Sequence, residues 1–213
     1  MKRMRVFAAA PVVFLATQLF AGSAGAAIVL NEADVIGADF GNNDGGTPYT
    51  VNLTEGVNLV SGISSGSGGD VGPKDFDDLI LNVPGGYELT SIRLLEWNVD
   101  VGPSVHTVTS SYSLWSGTTI ATTQLENDSI ILFSDQVPAD SAPYSFYALT
   151  LGAGNYLLNQ FGLGILGGDS ALFSYEWEFT VSAVPLPPAA WLFISGLLAM
   201  VGLNRRQRRA APA

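Results

Sequence analysis

The chain has 213 residues, contains no cysteine and one histidine, and carries a formal net charge of −10 at pH 7. Its two ends hold seven of the nine basic residues, so residues 27–183 combine nineteen acidic residues with two basic ones, a net charge of −17. This charge excludes nucleic acid as a partner, because such binding needs Lys and Arg to neutralise phosphates. The lack of cysteine excludes disulfides, thiol catalysis and cysteine metal sites.

The first 26 residues are typical of a secretory signal peptide. A basic start precedes an apolar run over 6–20, and small residues follow this run. The order predicts Sec-dependent export and removal of 1–26. An uncleaved membrane anchor is the alternative, but the apolar run is short and ends in small residues. The basic residues are Lys2, Arg3 and Arg5, and the cleavage-site residues are Ala24, Ala26 and Ala27.

The segment 27–183 has the size of one domain and the sequence pattern of an all-β protein. Apolar and polar residues alternate in it, most clearly around Tyr175, Trp177 and Phe179, and this period of two indicates strands. Clusters of Gly, Asn, Asp and Pro separate the strands. These features predict a single antiparallel β-sandwich of jelly-roll type. The predicted strands cover 27–31, 50–53, 78–83, 88–98, 105–115, 130–133, 145–151, 156–161 and 175–181.

Two connecting segments allow more specific predictions. Residues 61–69 (SGISSGSGG) are low in complexity, which predicts a flexible surface loop or, at the extreme, a disordered linker. Residues 145–161 contain two aromatic-rich runs on either side of a Gly-Ala-Gly-Asn sequence. Such a connection turns tightly, so this stretch is predicted to be a hairpin.

Four aspartates that follow the glycine-rich segment form a candidate metal site. Oxygen ligands on a flexible turn are what Ca²⁺ requires, although the spacing is not that of an EF-hand loop. A solvated acidic loop explains the same residues and is the favoured interpretation. The sequence therefore predicts no cofactor, with Ca²⁺ as the alternative. The four residues are Asp70, Asp75, Asp77 and Asp78.

Few residues are candidates for catalysis, and we predict no catalytic residue. His106 is the only histidine, so a Ser-His-Asp triad would depend on it, yet no nucleophile-elbow motif accompanies it. Glu176 and Glu178 lie about 7 Å apart along one strand face, which is compatible with a carboxylate pair for glycoside hydrolysis. Solvated charges on an outer sheet face explain this pair more simply.

Three tryptophans are candidates for stacking against the apolar face of a sugar ring: Trp97, Trp115 and Trp177. Trp177 alternates with other aromatic residues and is predicted to pack in the core. Trp115 lies near the end of a predicted strand and is the better candidate for a ligand contact. Core packing is nevertheless the commoner role for a tryptophan.

The last thirty residues, 184–213, combine a proline motif, an apolar run and an arginine cluster. The prolines favour an extended backbone, and the apolar run over 189–203 is about 22 Å long as a helix. This length approaches a hydrocarbon core of about 30 Å, so the run is predicted to be a transmembrane helix, with the arginines held in the cytoplasm as a stop-transfer signal. The motif is Val184, Pro185, Leu186, Pro187 and Pro188, and the cluster is Arg205, Arg206, Arg208 and Arg209.

This tail, VPLPPAAWLFISGLLAMVGLNRRQRR, resembles the PEP-CTERM sorting signal of Gram-negative bacteria. All three parts match in order and position, while Leu186 stands where the family usually has a glutamate and Pro188 where alanine is commoner. The resemblance implies recognition by an exosortase, an integral-membrane enzyme that removes the hydrophobic anchor during export. A permanent single-span anchor is the alternative. A GPI signal has a similar layout, but the arginine-rich end argues against it.

The central domain has a resemblance of its own. Residues 78–89, 154–156 and 175–181 are similar to the strand and turn pattern of bacterial pre-peptidase C-terminal domains, which are small β-sandwich modules. This resemblance implies the fold and assigns no activity.

These features lead us to expect an exported cell-surface or extracellular-matrix protein that is non-catalytic and either structural or associated with an exopolysaccharide. Its expected partners are the Sec machinery, an exosortase-like enzyme and, transiently, the inner membrane. A secreted carbohydrate-active hydrolase and a calcium-dependent adhesive module are the alternatives.

Overall fold

The computed structural model describes residues 28–35, 40, 47–67, 77–148, 150–167 and 169–185, together with 192–193, 195–197 and 200. The described residues up to 185 form ten strands and one short 3-10 helix (Glu32–Asp34), so the protein is mostly β, as predicted. The strands are β1 (Val29–Asn31), β2 (Tyr49–Asn52), β3 (Gly56–Ser67), β4 (Asp78–Val83), β5 (Tyr87–Val101), β6 (Thr107–Ser116), β7 (Thr123–Ser134), β8 (Tyr144–Tyr147), β9 (Gly154–Leu166) and β10 (Ser170–Ala183).

The strands form two five-stranded sheets. The first sheet has the order β1-β3-β10-β5-β8, and the second has the order β2-β4-β9-β6-β7. Pairing is antiparallel except at one edge of each sheet, where β1 pairs in parallel with β3 and β2 pairs in parallel with β4. These two edges differ from the purely antiparallel arrangement predicted from the sequence. The side-chain pattern of a short edge strand does not indicate whether it pairs in parallel or antiparallel.

The core lies between the sheets and is rich in aromatic rings. Alternate residues of β10 point into it, and Trp177, at its centre, is 1 % exposed. Tyr112 from the second sheet and Phe146 from the first pack edge-on against Trp177, with ring centroids 5.0 and 5.9 Å away. Edge-to-face rings add to the stabilisation from burial alone. The prediction that Trp177 belongs to the core is confirmed.

The prediction of a flexible loop at 61–69 is wrong for the part that the structure describes. Residues up to Ser67 belong to β3, which lies between β1 and β10. The small residues serve the packing: Gly62 leaves room for the Tyr175 hydroxyl, and Ser64 is buried and hydrogen-bonded. Low sequence complexity here therefore reflects close packing of a strand rather than solvation.

The predicted hairpin at 145–161 is also wrong. Strand β8 pairs with β5 in the first sheet, whereas β9 pairs with β4 and β6 in the second. The connection between β8 and β9 therefore crosses from one sheet to the other. Two hydrogen bonds of 2.8 Å between the backbones of Leu89 and Leu151 hold this crossing.

The ends of the chain lie largely outside the described residues. This applies to the predicted signal peptide with its expected cleavage-site residues Ala24, Ala26 and Ala27, and to the arginines at 205–209. Within the predicted transmembrane run, residues 192–193, 195–197 and 200 are helical. No helix among the described residues is both long and apolar enough to cross a bilayer.

Candidate functional site

Two adjoining rows of side chains cross the outer face of the second sheet. Leu79, Leu114 and Leu158 are buried in the core, so their neighbours along the strands face outward. The strand register places these outward residues side by side across four strands. The polar row comprises Asp78, Asn159, Ser113 and Asn127, and the adjoining row comprises Ile80, Leu157, Trp115 and Gln124.

A chain of hydrogen bonds links the two rows. The Trp115 indole N–H donates to Ser113 Oγ at 2.7 Å, and the Ser113 hydroxyl donates to Asn159 Oδ1 at 3.3 Å. The Asn159 amide then donates to Asp78 Oδ1 at 2.7 Å. All donors point the same way, toward the carboxylate, which fixes both the Asn159 amide and the plane of the Trp115 ring.

The carboxyl group at the end of this chain is largely withdrawn from water. Asp78 is 8 % exposed, and burial raises its pKa above the ordinary value of 3.8, while the hydrogen bond from Asn159 acts in the opposite direction. Charging such a group in a buried position costs free energy. Asp78 thus ends the chain of hydrogen bonds with a carboxyl group whose ionised form is disfavoured by burial.

The accessible part of the two rows lies toward β6 and β7. Trp115 is partly exposed, and Gln124 and Asn127 are exposed, whereas Leu157, the cross-strand neighbour of Trp115, is only 3 % exposed. The site therefore presents a ring of fixed orientation beside two side-chain amides. Such a surface can stack against an apolar ring face and hydrogen-bond to hydroxyl groups.

A second polar network lies inside the sandwich. The Tyr175 hydroxyl donates to Asp77 Oδ2 at 2.6 Å, and Ser64 Oγ lies 2.9 Å from the same oxygen and 2.8 Å from Gln160 Oε1. The Gln160 amide donates to Ser110 Oγ at 2.7 Å. Burial, followed by the nearby Asp77, raises the pKa of Tyr175 well above its ordinary value. This network connects the two sheets and is enclosed by them.

The predicted calcium ligands separate at the start of β4. Asp77 points into the sandwich and Asp78 onto the outer face, and each accepts hydrogen bonds from protein groups. Asp70 and Asp75 lie outside the described residues. Within the described ranges, no group of three or more acidic or histidine side chains is arranged to hold a metal ion.

The catalytic alternatives lie elsewhere on the surface. Glu178 Oε1 is 3.1 Å from Arg93, while Glu176 lies opposite Glu96 on the outer face of the first sheet. His106 lies just before β6, and its Nδ1 is 2.8 Å from Asp135 Oδ2. Trp97, the third candidate for sugar stacking, donates its N–H to the Leu132 carbonyl at 3.1 Å and so links the two sheets.

The predicted sorting motif begins directly after the last strand. Strand β10 ends at Ala183, and the Val184 amide donates to the Gly86 carbonyl at 2.9 Å. The side chains of Val184 and Pro185 are both exposed. Leu186, Pro187 and Pro188 lie outside the described residues.

Sequence reasoning missed the polar partners of Trp115. Asn159 and Gln160 stand together in the otherwise apolar run of β9, and this interruption was a signal that one of them faces each side of the sheet.

The chain matches no model of a known protein family, and no curated protein is similar to it in sequence.

Proposed function

We propose that the protein is exported, tethered by its C-terminal segment and released to the cell surface or the extracellular matrix by an exosortase-like enzyme. The observation that carries this proposal is the position of the proline motif. The last strand of the fold ends at Ala183, and the motif begins at Val184. Cleavage within the motif would leave every strand of both sheets intact.

The local backbone is suited to recognition by a processing enzyme. Pro185 has no N–H to donate, so strand pairing cannot continue through it, and both Val184 and Pro185 are exposed. Residues 189–203 then act as the temporary transmembrane tether, and the arginines at 205–209 keep the end of the chain in the cytoplasm. The signal peptide 1–26 delivers the chain to the Sec machinery of a Gram-negative inner membrane.

The released domain is non-catalytic and of jelly-roll type. The described strand order supports this class: β3-β10-β5-β8 and β4-β9-β6-β7 form two four-stranded halves of an eight-stranded double Greek key, with β1 and β2 added at the edges. The domain associates with polysaccharide in the matrix. Its outer face, with a fixed tryptophan beside side-chain amides, supports such a role.

Fractionation of a Gram-negative host that has an exosortase tests the sorting step. The double variant P185A/P187A is compared with P138A, which changes an exposed proline in the loop after β7. The wild-type chain and P138A are expected in the extracellular fraction, and P185A/P187A in the membrane fraction. Equal release of all three proteins would overturn the proposal.

A further inference from the structure

We infer that Trp115, Gln124 and Asn127 form a binding platform for a neutral polysaccharide. The inference deepens the proposed function, because it names the class of polymer and the face that binds it. It concerns the outer face of the second sheet, where the three side chains are accessible and their neighbours Ser113, Asn159 and Leu157 are nearly fully buried. The buried residues hold the ring, and the accessible ones meet the ligand.

The indole ring is prepared for stacking. Its N–H is already donated to Ser113 Oγ at 2.7 Å, so the ring offers a ligand mainly its apolar face. Because Ser113 is itself held through Asn159 and Asp78, the ring loses little conformational freedom when a ligand binds. A ring fixed in this way suits the flat apolar face of a pyranose unit.

A β-bulge directs the site toward its amide neighbours. Leu114 is paired with Glu126, but Trp115 is paired with Gln124, so β7 has one extra residue beside the tryptophan. Bulges re-aim side chains and are over-represented next to functional sites. This one places the Gln124 side chain beside Trp115, and Asn127 lies opposite Ser113 in the next row. Amides both donate and accept, which matches sugar hydroxyl groups.

Charge selects the class of polymer. Arg93 is the only Lys or Arg among the described residues, and it pairs with Glu178 on the outer face of the first sheet. The polar row on this face contains the carboxyl group of Asp78, and β7 carries Glu126 and Asp128 on its inward side. Polymers that carry uronic acids, sulfates or phosphates would therefore be repelled by the carboxylates and would find no cation to pair with. A neutral glycan meets neither penalty.

Affinity electrophoresis of the purified full chain in detergent tests this inference. The gels contain hydroxyethylcellulose or dextran as neutral polymers and alginate or polygalacturonate as anionic ones. We expect retardation by at least one neutral polymer and none by the anionic polymers. The variant W115A should weaken the retardation about tenfold or more, because stacking supplies much of the affinity.

A second variant keeps the test independent of any folding defect in W115A. The double variant Q124A/N127A changes exposed side chains only and should weaken retardation several-fold, whereas N98A/Q136A removes the same two side-chain types away from the platform and should leave retardation unchanged. The inference would be overturned if W115A and Q124A/N127A both bound as well as the wild type. Retardation by the anionic polymers, or a lack of retardation by both neutral polymers, would also overturn it. None of these results bears on the sorting step, since processing is not measured.

Discussion

The Tyr175 hydroxyl donates a 2.6 Å hydrogen bond to Asp77 Oδ2. This bond joins β10, the middle strand of the first sheet, to the residue that precedes β4 of the second sheet. Both groups are buried, with Tyr175 4 % and Asp77 5 % exposed. A protein without disulfides depends on its core and on such cross-sheet contacts for cohesion. The contact is short and charge-assisted, which places it among the stronger hydrogen bonds.

Replacing Tyr175 with Phe should therefore destabilise the domain. The variant keeps the ring but leaves a buried carboxylate with one donor fewer, which costs about 1–3 kcal/mol in the free energy of unfolding. Urea unfolding followed by fluorescence measures this loss. Tyr156→Phe is the matched control, because the Tyr156 hydroxyl donates to the Gly152 carbonyl in an exposed position. Equal stability of the two variants would contradict the described network.

The close packing of β3 against β10 can be tested at Gly62. A methyl group at this position would collide with the Tyr175 hydroxyl and approach Glu32, so Gly62→Ala should cost about 1–3 kcal/mol in stability. Gly85, in the turn before β5, has open space around the corresponding position, and Gly85→Ala should be nearly neutral. Thermal unfolding of both variants compares them directly. A flexible loop at 61–67 would instead tolerate the two substitutions equally.

The raised pKa of Asp78 predicts a pH-dependent effect of Asp78→Asn. The native state binds the proton of this carboxyl more tightly than the unfolded state, so its contribution to stability falls as the pH rises from the ordinary value of 3.8 through the native pKa. The Asn variant keeps an acceptor for Asn159 and lacks this penalty. Its stability relative to the wild type should therefore be higher at pH 7 than at pH 3.

Asp169→Asn should show the opposite trend and serves as the control. Hydrogen bonds from Ser104 lower the pKa of Asp169, so its stabilising contribution is present above pH 3.8 and is lost as the pH falls through the native pKa. Urea unfolding at pH 3 and pH 7 provides both comparisons. A change of the same sign for the two variants would show that the environment of Asp78 differs from the one described.

The free edge of β7 is protected by carboxylates. Three amides on alternate residues, those of Asn127, Ser129 and Ile131, donate to Glu126, Asp128 and Asp140 at 3.1, 2.8 and 2.8 Å. Exposed edge strands otherwise invite pairing with another chain. We expect the triple variant E126A/D128A/D140A to self-associate in sedimentation velocity experiments.

A matched triple variant separates this effect from a change in net charge. The variant E88A/E96A/D100A removes the same number of charges from β5, which pairs with β10 along its whole length and with β8 at 92–94. It should stay monomeric under conditions in which the β7 variant associates. Association of both variants to the same extent would point to net charge instead of edge protection.

Long alternating segments could be predicted from the sequence, and strands built from small or polar residues could not. Strand β4 has the predicted bounds, and β10 contains the whole of the predicted strand 175–181, because their apolar side chains alternate clearly. Strand β3 was not predicted at all, because its inward positions include Gly62, Ser64 and Gly66; Gly62 leaves room for Tyr175, and Ser64 lies beside Gln160. Most of β7 was missed because the inward side of an edge strand tolerates Glu126 and Asp128.

The candidate site shows the same division. Trp115 could be singled out from the sequence, because a tryptophan near a strand end is conspicuous in a polar context. Ser113 lies two residues from Trp115 on the same strand face, but Asn159 and Asp78 lie far from it in the chain and are brought to it only by the strand register. A sequence indicates which face of a strand a residue occupies, but the pairing of strands decides its neighbours.

Intact-mass analysis of the protein released from a host that has an exosortase, compared with protein from the same host without the enzyme, tests whether the C-terminal segment is a sorting signal that is removed on release. We expect a released form that begins at Ala27 and ends between Ala183 and Pro188, and an unprocessed C-terminus on the membrane-bound protein when the enzyme is absent. Mature protein that retains Ala213 in both hosts would contradict it.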